Sequence, residues 1–128
     1  MGRKFIWLMA PMFMVFLLVQ ALWAQDKAEG KKIYLTYCSG CHGEGGKGDG
    51  PAAKSLPVKP TNHTEGTFMN QLPDKYLFDI ISKGGSAVDK APFMPAWGGQ
   101  LKEKQIRDIL SYIRSLAVPP YKLPEANK

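Results

Sequence analysis

The chain has 128 residues, 45% of them apolar and 22% charged, with a formal net charge of +6. That mix excludes a disordered chain, and the length allows one domain beside a targeting segment. The basic residues are scattered, with no arginine-rich stripe or aromatic platform, which argues against nucleic acid and leaves acidic protein surfaces as the partners a positive chain attracts.

Residues 1–24 read as a targeting segment. Gly2-Arg3-Lys4 is a basic start, and the run from Phe5 to Val19 is almost wholly apolar. The pattern fits a signal peptide cut after Ala24 or Ala21. The stretch from Phe5 to Ala24 is also long enough to span a bilayer, so an uncleaved N-terminal anchor is the other reading. Either one exports the remainder, which carries 15 Lys and Arg against 11 Asp and Glu, a balance of +4. The exported part is expected to divide into a domain over 25–118 and a loose polar tail over 119–128.

Residues 26 to about 38 read as the first helix, with Ile33, Tyr34 and Tyr37 supplying apolar area. Gly30 inside it is unfavourable by about 1 kcal/mol relative to alanine. A glycine there, with Tyr34 a turn later, suggests close approach of another backbone.

Cys38-Ser39-Gly40-Cys41-His42 follows at once, and these are the only two cysteines. Two thiols three positions apart with histidine next is the C-x-x-C-H pattern of covalent haem attachment. Each thiol can add to a haem vinyl group, and the adjacent imidazole falls under the iron as its proximal ligand. A redox disulfide belongs beside a βαβ pattern, and no convincing run of β-branched strands appears. Structural zinc needs four nitrogen or sulfur ligands, which Cys38, Cys41, His42 and His63 supply badly, since the sequence neighbours Cys41 and His42 would rarely share one metal.

From Gly43 to Pro51 there are five glycines and one proline in nine residues, so the chain is loop. It is no phosphate loop, because no strand precedes it and no G-K-[ST] ends it. Pro51, Pro57 and Pro60 stiffen the connection, and a helical turn is expected near Ala52–Leu56. A second amphipathic helix is predicted over 73–83, with Tyr76, Leu77, Ile80 and Ile81 on one face and Gly84-Gly85 ending it. Residues 87–99 form a loop centred on Phe93-Met94-Pro95-Ala96-Trp97. The last helix is predicted over 103–116, with Ile106, Ile109, Leu110, Ile113 and Leu116 on one face and Tyr112 beside them. Leu101 and Ile106 suit a hydrophobic staple, and Gln105 suits a capping box around Lys102, a poor N-cap residue.

A second axial ligand is needed to close the iron. Thioether sulfur suits haem iron opposite histidine. After the leader only Met69 and Met94 remain. Met94 lies in a proline-stiffened, aromatic-flanked loop and is the preferred ligand. Met69 reads as a core or surface residue. His63 is the rival for bis-histidine ligation, although a lone histidine in a polar loop is more often solvated.

Over residues 26–117 the chain resembles the small monohaem class I c-type cytochromes, in the bacterial subgroup with G-x-G-x-G-D-G-P-type loops. The resemblance rests on Gly30 and Tyr34, Cys38–His42, Gly48-Asp49-Gly50-Pro51, Met94-Pro95 and the Ile109–Leu116 helix with Tyr112. It implies an all-α cytochrome c fold, three to four helices wrapped around one haem c bound through Cys38 and Cys41. It further implies His42 and Met94 as axial ligands, Gly30 and Tyr34 packed near Leu110 or Tyr112, and the Pro51 carbonyl as partner of His42 Nδ1. The function it implies is one-electron transfer, not enzyme catalysis, in a periplasmic or membrane-associated redox chain. Lys31, Lys32, Lys47, Lys54 and Lys90 are candidates to steer redox partners with acidic surfaces. The alternative is a gas-binding, sensory or enzymatic haem protein with an open sixth position, and a third reading is a subunit tethered to one membrane complex.

Overall fold

The first and last helices cross at a point where one residue has no side chain. The computed structural model describes residues 25–90 and 92–122, so both readings of the leader lie outside the described residues. Helix α1 is Lys27–Tyr37 and α2 is the single turn Ser39–His42; α3 is Gly66–Met69, α4 is Asp74–Lys83 and α5 is Glu103–Leu116. Two 3-10 turns, Pro51–Ser55 and Gly85–Val88, complete the regular structure, and no strand occurs among the described residues. No described helix is long and apolar enough to cross a membrane.

Asp26 starts α1. Its carboxylate accepts from the N–H groups of Ala28 and Glu29 at 2.9 and 3.0 Å, satisfying two donors that the helix leaves free. These bonds, the one from Glu29 foremost, hold the Asp26 pKa below the ordinary aspartate value. One turn on, a Cβ on Gly30 would lie 1.9 Å from the Asp108 carbonyl oxygen and 2.9 Å from the Ile109 nitrogen. Glycine is required because the backbones of α1 and α5 touch there. The contact centres on Asp108–Ile109, slightly before the expected Leu110. Tyr34, fully buried, does meet Tyr112, edge-on at 5.1 Å.

The apolar face of α5 is the one its periodicity marks, with Ile106, Ile109, Leu110 and Ile113 buried. Two charged residues are buried with it. Asp108 accepts from the Asp26 N–H at 2.8 Å and from Lys104 Nζ at 2.8 Å. Arg114 donates to the carbonyls of Met69 and Leu72 and to the Asp74 carboxylate, all within 2.8 Å. It thereby ties α5 to the end of α3 and the start of α4. At the start of α5, Lys102 is extended and its N–H donates to Gln105 Oε1 at 2.9 Å. A lysine side chain has no acceptor to offer the helix N–H groups, so half of the capping box forms.

The chain is held from Val118, the last residue of the expected domain, as far as Tyr121. Val118 exchanges backbone hydrogen bonds with Thr64 and Gly66, both at 3.0 Å. Asn70 donates to the Pro119 carbonyl at 3.1 Å, and the Arg114 guanidinium lies 3.8 Å over the Tyr121 ring.

Candidate functional site

The C-x-x-C-H stretch forms one helical turn directly after α1. Cys38 ends α1 and begins α2, and its carbonyl accepts from the N–H groups of Cys41 and His42 at 3.2 and 2.9 Å. Residues three apart on a helical turn share a face, which brings both thiols to one cavity. The thiols are unbridged; Cys38 is buried and Cys41 partly exposed. Burial, aided by the neighbouring Cys41, pushes the Cys38 thiol up to about 12, so it stays a neutral S–H near neutral pH.

The cavity, about 280 Å³, is lined by residues from along the described chain, Tyr37 of α1 and Ile113 of α5 among them. Cys38, Cys41 and His42 come from the motif. Leu56, Val58, Lys59, Pro60, Thr61 and His63 come from the following loop. Met69 and Leu72 come from α3 and its end, Tyr76, Leu77, Ile80 and Ile81 from α4, and Phe93, Met94, Pro95 and Trp97 from the loop before α5. The wall is mainly apolar. Lys59 and Lys90 are its charged residues, and no carboxylate lines it among the described residues.

His42 Nδ1 lies 3.1 Å from the Thr61 carbonyl oxygen. A carbonyl only accepts, so Nδ1 carries the proton and the Nε2 lone pair is the one left to bind a metal. Burial lowers the His42 pKa, against the opposing pull of that carbonyl. The expectation of Pro51 in this role is therefore corrected to Thr61. Pro51 is exposed at the start of a 3-10 turn, away from the cavity wall. The later strap Lys59-Pro60-Thr61 reaches His42 instead, because Gly48 lets it approach: a Cβ there would lie 2.3 Å from the Pro60 carbonyl oxygen. A later proline in the same loop, Pro60, was the signal in the sequence.

His63 is not solvated. It is 8% exposed, and its ring lies face to face with His42 at 4.3 Å between centroids and 18° between planes. Its Nδ1 is 3.2 Å from the Tyr34 hydroxyl. Imidazoles on opposite faces of a metal sit end to end across it, not face to face, so this placement removes His63 as the partner of His42. Burial first, and the neighbouring His42 second, push the His63 pKa down to about 3. Burial also raises that of Tyr34, so the pair stays neutral and hydrogen-bonded.

Both remaining methionines reach the cavity. Met69 is 2% exposed and committed to the core. Met94 is partly buried in a loop fixed at both ends. Its carbonyl accepts from Gly85 N–H at 3.0 Å, while Trp97 and Gly98 donate to the Ile81 and Ser82 carbonyls at 3.0 and 2.9 Å. Those bonds satisfy carbonyls that the end of α4 leaves free.

A covalently bound haem c fits this donor set. An apolar cavity carries two free thiols on one turn, an imidazole with Nε2 unused and a thioether on a pinned loop.

Comparison with known proteins agrees. The family model for cytochrome c oxidase, cbb3-type, subunit III matches residues 25–113. The chain is 33% identical over 91 residues, 71% of its length, to the cbb3-type cytochrome c oxidase subunit FixP of Bradyrhizobium diazoefficiens, of which it covers 28%. It thus spans under a third of that relative. It is 28% identical over 98 residues to cytochrome c6 of Anabaena variabilis, covering 76% of this chain and 99% of that one. Among solved structures, a chain of the Kuenenia stuttgartiensis reducing HAO-like protein complex superposes with a TM-score of 0.59 at 28% identity, over 78% of this chain and 47% of that one.

Proposed function

The chain belongs to the family of cbb3-type cytochrome c oxidase subunit III, and from that premise we propose that it is an electron carrier with His42 and Met94 as the axial ligands of one haem c. The observation that carries this reading is the single cavity shared by Cys38, Cys41, His42 and Met94. Haem c, when bound, supplies a one-electron iron couple.

The chain's own residues suit that role and little else. Cys38 and Cys41 anchor the group. Thr61 keeps the His42 proton on Nδ1 and the ring in place. Met94, on its pinned loop, would offer its thioether to the iron without ordering a long flexible segment. The wall from α3 and α4 is mainly apolar. Acid–base catalysis needs a titratable group free to exchange protons at the reacting centre. No described carboxylate lines the cavity, and His63 Nδ1 is engaged by Tyr34. These features favour a carrier over an enzyme or gas sensor.

The leader supports a periplasmic or membrane-associated site of action, as a free carrier or a tethered subunit. The positive balance of the exported part supports redox partners with acidic surfaces. Lys47, Lys54 and Lys90 are exposed, whereas Lys32 is paired with Glu29 at 3.1 Å. Redox titration of the purified holoprotein, with carbon monoxide added to the ferrous form, tests the reading. One electron per chain and no carbon monoxide adduct are expected. Ready adduct formation would establish an open iron and favour the gas-binding alternative.

A further inference from the structure

We propose that His63 is a positioning residue for the axial histidine, holding the plane of the His42 ring by stacking on its face. The inference rests on the reading of His42 as an iron ligand.

The Thr61 carbonyl touches His42 at one atom. A single hydrogen bond fixes where Nδ1 points but leaves the ring free to rock about the Nδ1···O line. A flat group against the ring face removes that motion, and His63 is such a group, 4.3 Å away and within 18° of parallel. The two restraints are complementary, one along the ring edge and one on its face.

His63 can act this way only if it is itself fixed, and it is fixed at both ends. Its backbone N–H donates to the Gly46 carbonyl at 2.6 Å. Its Nδ1 meets the Tyr34 hydroxyl at 3.2 Å. Tyr34 is fully buried, packed edge-on against Tyr112 beside the backbone contact of Gly30 with Asp108. A continuous line of contacts therefore runs from the α1–α5 crossing through Tyr34 and His63 to His42. The crossing sets the frame, and the axial ring is oriented relative to it. The orientation of an axial imidazole plane decides which iron d orbital holds the unpaired electron in the ferric low-spin state. A ring that cannot rock also contributes little rearrangement when the electron arrives or leaves.

The test is electron paramagnetic resonance of the ferric holoprotein, with its reduction potential, for the parent, His63→Leu, His63→Phe and Tyr34→Phe. Phenylalanine keeps a flat face, leucine does not, and Tyr34→Phe removes only the hydroxyl. Expected are g values displaced beyond the linewidth in His63→Leu with low-spin iron retained, and a smaller displacement in His63→Phe, which keeps the flat face but loses the hydrogen bond to Tyr34. Tyr34→Phe, which keeps the packing, should broaden or displace the same signal, and it decides the matter if His63→Leu does not load haem. Parent g values in Tyr34→Phe or in His63→Leu would overturn the proposal, as would identical displacement in His63→Leu and His63→Phe. A parent protein without a low-spin ferric signal would instead overturn the axial assignment on which the proposal rests.

Discussion

At Gly30 two residue-scale effects oppose each other, and their sizes decide the sign. Alanine is a better helix former than glycine by about 1 kcal/mol. Its Cβ would lie 1.9 Å from the Asp108 carbonyl oxygen, a backbone atom unable to move without separating the helices. Overpacking of this kind destabilises by about 1–3 kcal/mol. Gly30→Ala is therefore expected to lower the urea midpoint of the holoprotein, and a raised midpoint would show that the crossing is looser than described. Asp26 gives a pH signature at the same scale. Its pKa is depressed in the folded chain, so its contribution is present above the ordinary value of 3.8 and lost as pH falls through the folded value. Stability measured by denaturation below pH 4 should fall less steeply with acid in Asp26→Asn, which still caps the helix. The sequence marked Gly30 because a mid-helix glycine is locally unfavourable and needs a reason. It could not mark His63, whose neighbours are polar and whose burial depends on Tyr34, 29 positions earlier.

At the scale of elements, α1, α4 and α5 were legible because each carries a helical period long enough to count. The short α3 and the turn Gly85–Val88 have no such period, and tertiary contacts hold them. Arg114 shows how. It is buried at 8% exposure and donates to two carbonyls around α3 as well as to Asp74. Its partners lie 40 to 45 positions earlier in the chain, so the sequence hides the role. Arg114→Leu leaves the Leu72 carbonyl without a donor and the Met69 carbonyl with only the Leu72 N–H at 3.2 Å, and an unsatisfied buried group costs about 1–3 kcal/mol. Loss of about 2–3 kcal/mol in chemical denaturation is expected. Asp74→Asn, at a half-exposed position, should lose less than about 1 kcal/mol. Equal losses would mean that the ion pair, not the carbonyl contacts, is what Arg114 contributes.

At the scale of the whole molecule, about 100 residues enclose a thin core built around a cavity, and a group bound there stabilises the fold by linkage. The attachment motif, the methionine loop and the two long helices that frame them were readable from residue spacing. The strap that serves His42 was misread, Pro51 for Thr61, because only the folded loop shows which proline turn reaches the ring. An iron closed by His42 and Met94 is read out in the long-wavelength iron–sulfur absorption band of the ferric holoprotein. The band should be present in the parent, unchanged in Met69→Leu and lost in Met94→Ala. Its persistence in Met94→Ala, or its loss in Met69→Leu, would contradict the assignment.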